Sequence, residues 1–191
     1  MSPRLLALIP LAVGINLALG QFAAATSLPL FLDTVGTVLV ACLAGLAPAL
    51  ATGVVSQVVF TTVTGNATWF AFLPVQLAIG AYAALLARFG WFRSTFRSAL
   101  GGLGLGFVAA TLSWPISYLA FGGVTAGGVT VVTTLLTGAG MTLKWAVYGA
   151  SLSNDLLDKT VTFLLIRAIL IALPRRTAAR FPAADRALGR A

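Results

Sequence analysis

The chain has 191 residues, 59% of them apolar and only 8% charged, with a mean hydropathy of +1.01. A water-soluble domain carries roughly 25% charged residues, so the composition excludes a soluble enzyme or binding module and leaves one membrane domain. The net charge of +8 comes from twelve basic residues against four acids, and nine of the arginines flank apolar runs instead of forming a nucleic-acid face.

Six membrane helices of about 20 residues need roughly 120 residues, and six apolar runs are present. They are expected at about 5–25, 30–46, 49–64, 69–89, 98–121 and 141–173. The first follows a short basic start and ends in Ala23, Ala24 and Ala25, as a signal peptide would. It exceeds a signal peptide's apolar length of roughly 7 to 15 residues and five more runs follow, so it is read as the first helix. Pro29 and Asp33 open the second run, and the turn Gly45-Leu46-Ala47-Pro48 closes it. The third ends at the loop Gly65-Asn66-Ala67-Thr68. In the fifth, Trp114-Pro115 predicts a kink. After the Gly-rich loop at 122–128, residues 129–136 are apolar but too short to span, and predict a partial helix before the sixth. Residues 1–176 thus form an all-α, six-helix integral membrane domain, and 177–191 a basic cytoplasmic tail.

Charge sets the topology. With both termini cytoplasmic, Arg4, the cluster Arg88, Arg93 and Arg97, and the cluster Arg175, Arg176, Arg180, Arg186 and Arg190 all fall inside. The three outer connections, at 26–30, 65–68 and 122–128, contain no Lys or Arg, as the positive-inside rule requires. A seventh span at 129–136 would put five arginines outside.

Intramembrane polar groups are functional candidates by default. The sixth helix carries Lys144, Tyr148, Ser151, Asp155, Asp158, Lys159 and Thr162, which at 100° per residue fall in a wedge about 100° wide and about 27 Å long, with Trp145 and Asn154 at its edges. Two readings stand. In one, Asp155 and Lys159 pair at i, i+4 and the stripe fixes packing; Asp158 and Lys159, nearer the cytoplasm, belong there. In the other, the outer part (Lys144, Trp145, Tyr148, Ser151 and Asn154) touches a ligand, and Asp155 serves either. Arg167 is expected to snorkel. Asp33 either complements a helix dipole, holds Lys159 or Lys144, or touches the ligand. Asn66, Trp69, Gln76, Trp114, Ser117 and Tyr118 sit at the outer ends of helices 4 and 5, and aromatic plus sparse polar groups make up a small-molecule site. Lys144 suits an anionic ligand and the aromatics a planar ring.

Small residues recur at Gly102-x-x-x-Gly106-x-x-x-Ala110, read as internal packing, and on helix 1 at Ala7, Gly14, Ala18 and Ala25, where Gly14-x-x-x-Ala18 serves either packing or a partner protein. With one cysteine, no His and no Glu, no metal, cofactor or catalytic activity is expected. No phosphate-binding G-x-x-x-x-G-K-[ST] loop exists either. A chain with a pocket and no energy source needs a partner.

The stretch Leu28-Pro29-Leu30-Phe31-Leu32-Asp33-Thr34-Val35-Gly36-Thr37, with Ala44-Gly45-Leu46-Ala47-Pro48 after it, resembles helix 2 and its turn in the substrate-binding S components of energy-coupling factor (ECF) vitamin transporters. Phe121-Gly122-Gly123-Val124-Thr125-Ala126-Gly127-Gly128, Ser153-Asn154-Asp155-Leu156-Leu157-Asp158-Lys159-Thr160 and Leu173-Pro174-Arg175-Arg176 resemble that group's last outer loop and final helix. The resemblance implies a multi-pass protein of the cell membrane that captures a vitamin-like molecule at its outer half beneath three closing loops. It would deliver that molecule with a transmembrane coupling protein and two cytoplasmic ATPase subunits. It also implies that the small face of helix 1 meets the coupling protein, with Gly14-x-x-x-Ala18 standing where the family has Ala-x-x-x-Ala. Two other classes remain: a sensory input domain, although only residues 175–191 follow Pro174 and no fused output is expected, and a membrane enzyme, which would have only Asp and Lys to work with.

Overall fold

A computed structural model describes residues 3–26, 28, 30–125, 128–178, 180–181 and 183–190. Pro29, expected to open the second helix, and the side chains of Arg4 and Arg175 lie outside the described residues. Among the described residues all regular structure is helical, with no strand. The helices are α1 (Pro3–Ala25), α2 (Val35–Ala44), α3 (Leu46–Thr64), α4 (Thr68–Ala71), α5 (Leu73–Arg88), α6 (Thr95–Phe121), α7 (Val129–Gly138), α8 (Leu143–Ala172), α9 (Arg175–Ala178) and α10 (Ala184–Ala187).

Three of them, α1, α3 and α6, are long and apolar enough to cross a membrane. The 30-residue α8 has the length but carries Asp155, Asp158 and Lys159 in its middle. The surface agrees with a lipid environment: Leu11, Phe22, Val58, Phe107, Leu112, Leu135 and Leu165 point outward, while Asn16, Thr37, Ser56, Gln57 and Gln76 are buried. That inversion of the usual soluble pattern associates the chain with a membrane.

The second predicted helix, 30–46, is shortened to Val35–Ala44, because the chain before it is unwound. In this stretch the backbone N–H groups of Phe31 and Leu32 donate to Asp158 Oδ1 at 3.0 and 2.8 Å. Leu32 takes a left-handed φ of 53°, a conformation that costs roughly 1–2 kcal/mol for a side-chain-bearing residue. Backbone groups left without helical hydrogen bonds need other partners, and Asp158 supplies them here. The fourth predicted helix, 69–89, is broken at Phe72 into α4 and α5. By contrast α6 runs continuously through Pro115, and α7 is the expected short helix, packed on α8.

Two close approaches organise the bundle. The Gly102 and Gly106 face of α6 lies on α8, where a Cβ would come within 2.6 Å of Thr160 Cα and Leu156 Cα. This bears out the internal-packing reading and makes α6 with α8 the most extensive helix pair. Gly36 of α2 lies directly on the backbone of Ala12 in α1. There Asn16 Oδ1 accepts from Gly36 N–H at 2.6 Å, and its amide donates to Thr37 Oγ1 and Ser56 Oγ, both at 2.9 Å. One side chain thus joins α1, α2 and α3.

The apolar core sits toward the arginine-bearing end, around Val38, Phe92, Phe163, Ile166 and Leu170, with the rings of Phe92 and Phe163 stacked at 4.9 Å. The segment after 177 is more than a tail: α10 packs against α2, α5 and the turn at Trp91–Arg93, and buries Ala184 and Ala187 in the same core.

Candidate functional site

The polar interior opens into a cavity of about 70 Å³ at the end of the bundle away from the arginines. Three connections close over it: Phe31, Asp33 and Thr34 before α2, Asn66, Thr68 and Trp69 around α4, and Thr125 and Val129 before and in α7. Helices supply the floor and walls: Gln57 from α3, Gln76 and Ile79 from α5, Ser113 and Ser117 from α6, and Ser151, Asp155 and Lys159 from α8.

Charge gathers on one side of this cavity. Lys159 is hydrogen-bonded to the Asp158 carboxylate, donates to Thr34 Oγ1 at 3.3 Å, and lies 3.9 Å from Asp33 Oδ1 and 4.0 Å from Asp155 Oδ1. Asp155 Oδ2 also accepts from Ser113 Oγ at 3.3 Å. Gln76 spans the gap to the unwound segment, its amide donating to the Asp33 carbonyl at 3.4 Å. Aromatic surface faces the charges: the Trp69 ring stacks on Phe60 at 4.5 Å, and Phe31 lies under Lys159 Nζ at 5.8 Å.

Of the residues expected to bind a ligand, the structure brings together Asn66, Trp69, Gln76, Ser151 and Asp155, with Ser117 beside them. Asp33 and Lys159, expected as structural or gating charges, also line the cavity, whereas Asp158 lies behind Lys159 and is fully buried.

Trp114, Tyr118, Lys144, Trp145 and Tyr148 do not line it; they form a separate cluster. Trp114 meets Tyr118 and Tyr148 with ring centroids 6.3 and 5.9 Å apart, Trp145 meets Tyr148 at 6.4 Å, and Lys144 Nζ sits 5.8 and 5.4 Å from the Trp114 and Trp145 rings. Trp145 is 58% exposed. Amphipathic aromatics with a lysine are what a membrane interface selects, so Lys144 is not placed to hold an anion in the cavity. Asn154 is buried but neither lines the cavity nor finds a partner for its Nδ2.

Gln57, Phe31, Thr34 and Ser113 were not singled out from the sequence. Gln57 and Ser113 carried the same signal as Gln76, a polar side chain inside an apolar run. The Gly14 and Ala18 face of α1 is exposed, with nothing within 4 Å of a Cβ built at Gly14.

A second, larger groove of about 680 Å³ lies at the arginine end, lined by residues of α2 and α5 that include five alanines, with Arg88 and Arg186 beside them. It lacks the convergent polar groups of the first.

Scans against known protein families and searches of curated proteins and solved structures return no match for this chain.

Proposed function

We propose that this chain is the substrate-capturing membrane subunit of an importer of the ECF type, with six membrane spans and both termini in the cytoplasm. It takes up a small vitamin-like molecule at its outer half and passes it on with a coupling protein and two ATPases. The observation that carries the reading is the cavity itself: a polar, partly aromatic site at the arginine-free end, closed by three separate connections. Under this topology α2 and its unwound approach form the second span, and the broken α4 and α5 the fourth. The cavity faces outward and the arginines face in.

A volume of about 70 Å³ is well below the roughly 300–1,000 Å³ of a typical ligand pocket. Capture therefore includes opening, and the mobile parts are the connections that form the roof. Trp69 rides on the single-turn α4, which buries none of its residues. Its displacement from Phe60 enlarges the site without disturbing the long helices.

The exposed Gly14 and Ala18 face supplies the partner surface, since small residues allow close helix approach in lipid. Tagged protein purified from native membranes is expected to bring down a membrane coupling protein and ATPases. The double variant Gly14→Leu, Ala18→Leu is expected to fold with an unchanged melting temperature and lose them. Absence of any such partner from the wild-type sample, or its retention by the variant, contradicts the partner assignment.

A further inference from the structure

On the reading that the cavity captures a small molecule, we infer that the molecule is an organic cation, held by the carboxylates of Asp33 and Asp155 beside the aromatic ring of Trp69. Asp33, Asp155 and Asp158 surround one lysine, so the group has three formal negative charges against one formal positive.

Those charges are unequally matched. Asp158 is complete, with Lys159 and two backbone N–H donors. Asp33 Oδ1 is buried with no hydrogen-bond partner, and Asp155 has a single hydroxyl donor. The two carboxylates with unmet demand line the cavity, and the one that is satisfied does not.

A second set of groups points the same way. Gln57 Oε1 and Ser151 Oγ have no hydrogen-bond partner, although these residues are only 2% and 1% exposed and both line the cavity. Gln57 can offer its unpartnered amide oxygen, as the carboxylates offer theirs, while the Gln76 amide donor is already directed to the Asp33 carbonyl. A cavity supplied with acceptors and negative charge suits a ligand that brings donors and positive charge. Buried polar groups and charges are costly unless matched.

The Trp69 ring in the cavity wall adds to this, because ring faces attract cations, whereas the Phe31 ring already lies under Lys159 Nζ. A multivalent metal ion fits poorly, because no group of described residues is arranged to hold one. An organic ammonium or a cationic heteroaromatic ring approaches from the Gln57 and Trp69 side, with its charge toward Asp33 and Asp155.

The test uses the full chain in detergent, freed of bound small molecules, and a small-molecule extract of the native host sorted on a cation exchanger. Thermal stabilisation by each fraction is measured, since a ligand that binds only the folded state raises the melting temperature. The stabilising activity is expected in the fraction retained by the exchanger. Asp33→Asn and Asp155→Asn are each expected to need at least tenfold more of it, and Asp185→Asn, at an exposed acid on α10, no more than wild type.

Stabilisation by the unretained neutral and anionic fraction overturns the charge assignment while leaving capture intact. Equal response of the wild type and both cavity variants to the retained fraction overturns the assignment to these carboxylates. If no fraction stabilises the wild type, the capture reading and the cation inference fall together. The wild-type comparison decides the ligand's charge even if one of the variants does not fold.

Discussion

Asp158 receives three donors at once, the Lys159 ammonium and the N–H groups of Phe31 and Leu32, and so holds the unwound approach to α2 in place from 126 and 127 residues away. Asp33, a few residues along, has a buried oxygen with no donor. The two acids therefore respond oppositely to loss of charge. Asp158→Ala leaves two buried N–H groups and a lysine without their nearest acceptor, and is expected to cost about 3–5 kcal/mol, read as a large fall in melting temperature in detergent. Asp33→Asn removes a carboxylate whose Oδ1 has no hydrogen-bond donor and only a 3.9 Å approach from Lys159, and is expected to leave the melting temperature unchanged or higher. A fall of similar size in both variants would assign Asp33 to structure alone. Asn16 is a similar case to Asp158: Asn16→Leu strands the Gly36 N–H and the hydroxyls of Thr37 and Ser56, at about 1–3 kcal/mol for an unsatisfied buried group.

At the scale of elements, the contact of α6 with α8 positions the site, because it brings Ser113 to Asp155. A Cβ at Gly106 would lie 2.6 Å from the Asp155 carbonyl oxygen and from Leu156 Cα. Gly106→Val is accordingly expected to force the two helices apart, lowering the melting temperature and abolishing ligand retention together, whereas Gly138→Ala, with nothing within 4 Å, leaves both unchanged. A Gly106→Val protein that retains wild-type stability contradicts this packing.

This contact was legible in the sequence because small residues four apart have one strong use in lipid. The unwinding of 30–34 was not: Leu30, Phe31 and Leu32 are equally apolar in a helix or out of one, and what unwinds them is a carboxylate far along the chain. The stripe on α8 was legible as a face but not as a site. Tyr148 and Asp155 lie two turns apart on the same side of the helix, so angle does not separate them. The neighbour at each depth does, since Trp114 meets Tyr148 where Ser113 meets Asp155. Asn16 stood alone in its apolar run, and Gln57 had only threonines, Thr61 and Thr64, as periodic companions on its face.

For the molecule as a whole, the arginines and the cavity mark opposite ends, and the proposed topology puts the cavity outside. In a Cys42→Ala background, Asn66→Cys is expected to react with a membrane-impermeant thiol reagent on intact cells, and Arg93→Cys only after permeabilisation; the reverse pattern inverts the topology. On the proposed function this cavity, and not the aromatic cluster around Trp114, holds the captured molecule. Native mass spectrometry of protein purified from its own host tests it most directly. The wild type is expected to carry one small molecule per chain, which Gln76→Ala and Trp69→Ala lose while Lys144→Ala and Tyr148→Ala keep it. Retention in the first pair with loss in the second, or a wild type that carries nothing, would contradict it.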